Sequence, residues 1–143
     1  MSEKSSADLF LEYHEKIAEF LKFDELNLKD AQMTLASVRH YWVGRLMFHK
    51  QEIGRYKKLK ESACKKLRQK IEHESPVGLN AKTISDSIAS HEAIVRIDEE
   101  IANNEFLVEY LSKVEMNLRD AQFGMNNLSK IIILETTWVS WLN

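Results

Sequence analysis

The sequence predicts an all-α protein: a long, coiled-coil-like antiparallel helical hairpin with an additional N-terminal helix. Three observations carry that expectation. The 143 residues include only four Gly and one Pro, beside 44% hydrophobic and 29% charged residues, and so few turn-formers favour long helices over a sheet. Apolar side chains recur at steps of three and four along two extended stretches, the periodicity of helices packed along a seam. One strong break, HESPVGLN at 73–80, separates those stretches and holds the sole proline. The length is that of a single helical domain, 1–143, with a modest core.

The first helix is expected over 6–22, after Ser5. Leu9, Phe10, Tyr13, Ile17, Phe20 and Leu21 share one of its faces. KFDELN then reads as a short connection, with Asn27 as N-cap of the next helix. That helix, 28–73, carries the seam Leu28, Ala31, Leu35, Val38, Trp42 and Leu46, a gap at His49, then Ile53, Tyr56, Leu59, Ala63, Leu67 and Ile71. After the break, Asn80 or Thr83 caps a second long helix, 81–135. Its seam is Ile84, Ile88, Val95, Ile101, Val108, Leu111, Val114, Leu118, Ala121, Met125, Leu128 and Ile132. The seam loosens between Val95 and Val108, where Asp98 and the pair Asn103–Asn104 fall, the place for a kink or break. NLKDAQ at 27–32 recurs as NLRDAQ at 117–122, and a hairpin turning near residue 75 would set the two roughly side by side. The tail, 136–143, holds Trp138, Val139, Trp141 and Leu142. Two tryptophans are costly to leave in water, so they either fold back or bury against another subunit, and self-association is the favoured reading.

Charge is strongly segregated. Between Arg45 and Lys70 lie ten basic residues and two acidic ones, Glu52 and Glu61, whereas the rest of the chain has ten basic and twenty acidic. The formal net charge of −2 therefore conceals a local excess of positive charge. Other chemistry is not indicated. The single Cys64 forms no internal disulfide, no apolar run approaches the ~20 residues of a membrane span, and MSEKSSADLF lacks a leader's apolar region, so a cytoplasmic protein is expected. None of His14, His40, His49, His73 and His91 has Glu three residues before it, and neither HExxH nor a cysteine pair occurs. The glycines (Gly44, Gly54, Gly78, Gly124) are too scattered to cradle phosphate. Cys64 has no evident catalytic partner. No enzyme, metal or cofactor is expected.

Three readings of the basic run compete. A solvated coiled-coil face normally interleaves Glu with Lys, and a helix lying on a membrane needs a free apolar face that this hairpin uses for its seam. A phosphate-backbone site needs clustered Lys and Arg, with aromatics for stacking if the nucleic acid is single-stranded. The candidates are Arg45, Lys50, Arg55, Lys57, Lys58, Lys60, Lys65, Lys66 and Arg68, with Lys70 closing the run. Tyr41 and Phe48 are the stacking candidates, since Trp42 and Tyr56 fall on the seam. No helix-turn-helix, zinc finger or RNP motif accompanies the charge, so non-specific backbone binding is expected over sequence readout.

The order of these features resembles a known family. HYWVGRLMFHKQEIGRYKKLKESACKKLRQK, a short turn, and IVRIDEEIANNEFLVEYLSKVEMNLRDAQFGMNNLSKII together resemble the UvsY-type recombination mediators of tailed phages, over roughly residues 35–135. The resemblance implies a small helical protein that assembles into a ring. It implies non-specific binding of single-stranded DNA, first through Lys57, Lys58 and Lys60, and help for a RecA-like recombinase in replacing a single-strand-binding protein, without catalysis. It also implies oligomerisation through the C-terminal part. A coiled-coil scaffold or assembly chaperone with an acidic protein partner is the alternative from another class.

Overall fold

The computed structural model describes residues 4–75 and 78–142. It has four helices, α1 (Ser6–Phe20), α2 (Leu28–Glu74), α3 (Ala81–Ala89) and α4 (Glu92–Leu142), and no strand among the described residues. The fold is all-α, as the scarcity of turn-formers implies. Pro76 and Val77, inside the expected turn, lie outside the described residues. The described residues form two compact units, one of 4–46 with 109–142 and one of 47–108 without Pro76 and Val77.

In the first unit, the Ser5 hydroxyl accepts from the Asp8 amide and starts α1. The helix docks by burying Tyr13 and Ile17. Tyr13 meets Trp42 edge-on at 5.2 Å between ring centroids, and Phe10 meets Tyr110 in the same manner at 4.8 Å. Trp42 is 5% exposed, and truncating so buried an aromatic to alanine costs about 3–5 kcal/mol. The connection to α2 is closed by side chains. Asn27 donates to the Lys22 carbonyl and accepts from the Asp24 amide, while Asp24 accepts from Leu26 and Asn27. Asn27, expected as an N-cap, thus stands before α2 with its amide turned back into the loop.

Leu28, Leu35 and Met125 form a buried cluster joined by Phe20, Phe23, Ala31, Leu128 and Ile132. Arg39 bonds Glu115 at 2.6 Å and Gln122 at 3.3 Å. Later residues of α2 therefore face earlier residues of α4, so the pair is antiparallel. This register corrects the expectation for the repeated hexapeptide. Gln122 of the second copy lies beside Arg39, and Leu28 of the first packs with Met125 and Ile132, so the copies are offset along the helices.

In the second unit, Ile84, Ile88, Ile94 and Ile97 form a cluster, flanked by Tyr56, Ala63, Cys64, Leu67, Ile71 and Ile101. Asn80 caps α3 by accepting from the Thr83 amide at 2.8 Å. The expected helix 81–135 is not continuous: it divides at Ser90–His91. The Ser90 hydroxyl donates back to the Asp86 and Ser87 carbonyls, and His91 Nδ1 accepts from the Ala93 amide to start α4. Helix α4 in turn runs unbroken through Asn103–Asn104. Asn104 is buried and satisfied, its Nδ2 donating to the Glu100 carbonyl and its Oδ1 lying 2.9 Å from His49 Nδ1. With Asn104 Oδ1 the acceptor, His49 carries its proton on Nδ1. His49 is 2% exposed, so the gap in the seam is a buried polar contact.

Two seam assignments change. Leu59 is exposed, and Lys60 takes the place over α4 through its bond to Asp98. Val95 is exposed, while Ile94 and Ile97 are buried. The break at Ser90–His91 restarts the helical phase and moves the inward position by one residue.

Candidate nucleic-acid interface

In the second unit the basic run lies on α2, and its helical pitch of 3.6 residues sorts it into strips around the buried stripe. Lys50, Lys57 and Arg68 share one flank. Lys58 and Lys65 lie furthest from the core. Arg55, Lys66 and Lys70 share the other flank with Phe48 and Leu59, both of which are exposed. Lys50, Lys57, Lys58, Lys65, Lys66, Arg68 and Lys70 are all exposed, and none pairs with a carboxylate among the described residues.

The remaining cations are engaged. Arg55 bonds Glu52 at 2.8 Å and lies over the Tyr56 ring at 4.4 Å, and the pairing holds the Glu52 carboxyl below its ordinary range. Lys60 bonds Asp98 at 2.7 Å, which raises the lysine above its ordinary value. Arg45 belongs to the first unit. It is half-buried, its Nε is closed to solvent, and its guanidinium lies 5.7 Å from the Tyr13 ring centroid. Arg45 is therefore less open to solvent than the exposed cations of the run, its guanidinium lying near an aromatic ring of α1.

Of the two stacking candidates, Phe48 is 45% exposed on the flank that carries Arg55 and Lys66. Tyr41, in the first unit, is equally exposed, its ring 4.9 Å from Trp42 in edge contact. Neither residue is buried, as a stacking role requires.

In the tail, α4 continues as helix to Leu142. Trp138, Val139, Trp141 and Leu142 are 68%, 55%, 86% and 73% exposed, so they do not fold back on the first unit. A groove there is walled by Leu134, Thr137, Trp138 and Trp141. Sequence reasoning missed that this apolar surface begins earlier, with Met116, Phe123 and Ile131 also exposed on the same side of α4. Their spacing of seven and eight residues was the available signal.

Among the described residues no group of three or more His, Cys, Asp or Glu is placed to hold a metal ion. None of their helices is long and apolar enough to cross a membrane.

Comparison with solved structures finds a similar fold elsewhere. The crystal structure of the bacteriophage T4 recombination mediator protein UvsY superposes with a TM-score of 0.75, covering 92% of this chain and 99% of that one at 14% identity. The fold resembles that of a recombination mediator. UvsY in a second crystal form gives a TM-score of 0.71, with 87% and 96% covered at 13% identity. No family model and no curated protein sequence matches the chain. At such identity the likeness to UvsY is one of fold, and neither charge nor site is carried over by it.

Proposed function

We propose that this protein is a non-catalytic recombination mediator that binds single-stranded DNA through the exposed basic face of α2. The observation that carries the reading is the set of uncompensated cations at Lys50, Lys57, Lys58, Lys65, Lys66 and Arg68, on a fold similar to that of UvsY. A run of such cations binds phosphates by displacing counterions, without regard to sequence. The exposed Phe48 and Tyr41 are the rings on which bases would stack, and Arg55 and Lys60 add charge already shared with a carboxylate. On this reading the protein helps a RecA-like recombinase replace a single-strand-binding protein on DNA. The exposed tail, Trp138 to Leu142, packs between copies in a homo-oligomer, a ring in the simplest closed arrangement, and a repeated basic face then gains affinity by avidity.

Titration of a labelled oligothymidylate at several salt concentrations tests the reading. Binding that falls steeply and log-linearly with salt is expected. Absence of binding even at low ionic strength would overturn it in favour of a scaffold for an acidic protein.

A further inference from the structure

We propose that the second unit holds a receptor for a single nucleobase, beside the basic face of α2. A cavity of about 220 Å³ lies where α2, α3 and α4 meet. Its floor is apolar: Ile88 and Ile94 are 5% and 1% exposed, and Cys64 lies half-buried beside them. Its rim is charged, with Lys60 and Arg68 from α2 and Asp98 from α4. This volume is below the roughly 300–1,000 Å³ of sites for drug-sized ligands, which favours a single ring system over an extended molecule.

The arrangement of charge selects the ligand class. Lys60, Cys64 and Arg68 follow one another at four-residue steps and form a column along α2. Lys60 and Arg68 are therefore about 12 Å apart along the axis, one on each side of the thiol. A nucleotide whose base covers Ile88 and Ile94 would leave its two flanking phosphates toward those cations. Asp98, 2.7 Å from the Lys60 amine, supplies a carboxylate acceptor for a base N–H, whether the ring N3–H of thymine or an exocyclic amino group of another base. A free phosphate would satisfy the rim and leave the apolar floor wet. A base with its backbone satisfies both, and every base has an apolar face, so the site is tolerant of sequence. The inference rests on the single-stranded DNA reading above and names where a base goes.

Cys64 is the sole thiol of the chain, so its modification reports the cavity directly. The full chain is treated with a maleimide alone, with saturating oligothymidylate, and with an abasic strand of equal length and charge. The base-bearing strand slows labelling of Cys64 by about tenfold, the order expected for one stacked base, while the abasic strand binds and leaves the rate near that of free protein. Ser85, exposed on α3, also borders the cavity. The variant Ser85→Trp, which places a ring over the floor, lowers affinity for oligothymidylate to that for the abasic strand and leaves abasic binding as it was.

Equal affinity for the two strands with Cys64 unprotected overturns the base receptor and leaves the backbone reading standing. Failure of both strands to bind overturns the single-stranded DNA reading itself. Protection of Cys64 by an acidic, apolar peptide but by neither strand overturns the proposal in favour of a protein ligand. The labelling of the native chain stands whether or not Ser85→Trp folds.

Discussion

Replacing Lys57 and Lys58 together by alanine tests the interface most directly. Both are exposed, neither has a carboxylate partner among the described residues, and neither lines a buried cluster. Alanine is the better helix former, so α2 keeps its helicity. Six cations proposed for the site are exposed and uncompensated: Lys50, Lys57, Lys58, Lys65, Lys66 and Arg68. If each neutralises one phosphate of a single strand, log K falls with log salt at a slope of roughly −4 per engaged subunit. The double variant retains four of them, and its slope becomes about −3. Between about 50 and 200 mM salt, the native protein loses roughly 300-fold in affinity and the variant roughly 50-fold. The ratio of the slopes, about two-thirds, is independent of how many subunits engage, because each loses the same fraction of its contacts. The assay is fluorescence anisotropy of a labelled oligothymidylate at four salt concentrations, with circular dichroism and sedimentation as controls. An unchanged slope in a variant whose helicity and sedimentation match the native protein refutes the assignment of the site to this face.

Three further outcomes are expected. Asn104→Leu leaves the His49 proton without its buried acceptor and lowers stability by about 1–3 kcal/mol in denaturant unfolding, whereas His49→Leu with Asn104→Leu recovers most of that loss. If the double variant is as unstable as the two single losses added, the hydrogen bond is not what the pair contributes. An added Cβ meets nothing within 4 Å at Gly54, so Gly54→Ala stabilises α2 by roughly 1 kcal/mol in thermal melts, whereas Gly124→Ala, whose Cβ lands 3.3 Å from the Phe23 ring, gains less. Equal gains would show that Phe23 yields freely. Truncation after Glu135 removes side chains that touch little of their own chain, so light scattering shows a smaller assembly while the helicity of the remainder persists, and an unchanged assembly removes the tail from the interface.

Local chemistry was legible and long-range geometry was not. The hydroxyl of Ser5 and the amide of Asn80 stand where helices begin, and both cap as their residue types suggest. Trp42 fell on the seam by spacing alone and is buried. The break at Ser90–His91 had weak signals, since neither residue is a proline or glycine and the apolar steps continue past it. Once unseen, it carried the phase of α3 into α4 and placed Val95 inward in place of Ile94 and Ile97. Asn103–Asn104 misled in the other direction. Asparagines mid-helix suggest a break, but Asn104 is satisfied by a histidine 55 positions earlier, a contact no local window contains. For the basic run, sequence placed the cations on one helix but could not give their individual states. Only the fold shows that Arg45 is committed to Tyr13 and Lys60 to Asp98, because those partners come from other helices.

The apolar side of α4 bears on how the basic face is used. In the first unit, Val114, Leu118, Ala121 and Met125 form one buried stripe of α4, while Met116, Phe123, Ile131, Leu134, Trp138 and Trp141 form a second stripe on its other side, exposed throughout. Every residue from 133 to 142 is exposed, so little packing among the described residues holds that end of the helix. An isolated helix of about ten residues is marginal in water, and its stability in proteins comes from packing of an apolar face. A helix with one apolar face used and the other uncovered is suited to a neighbour, and a second copy, which brings the same uncovered stripe, satisfies that need reciprocally. The same association would gather several copies of a basic face that carries only a handful of free cations each. Non-specific binding by one such face is weak at physiological salt, whereas linked faces bind the second and later stretches of strand at high effective concentration. On the mediator reading, then, the tail and the basic helix are two halves of one requirement: tryptophans exposed in the single chain are what make a modest per-subunit charge sufficient to hold single-stranded DNA.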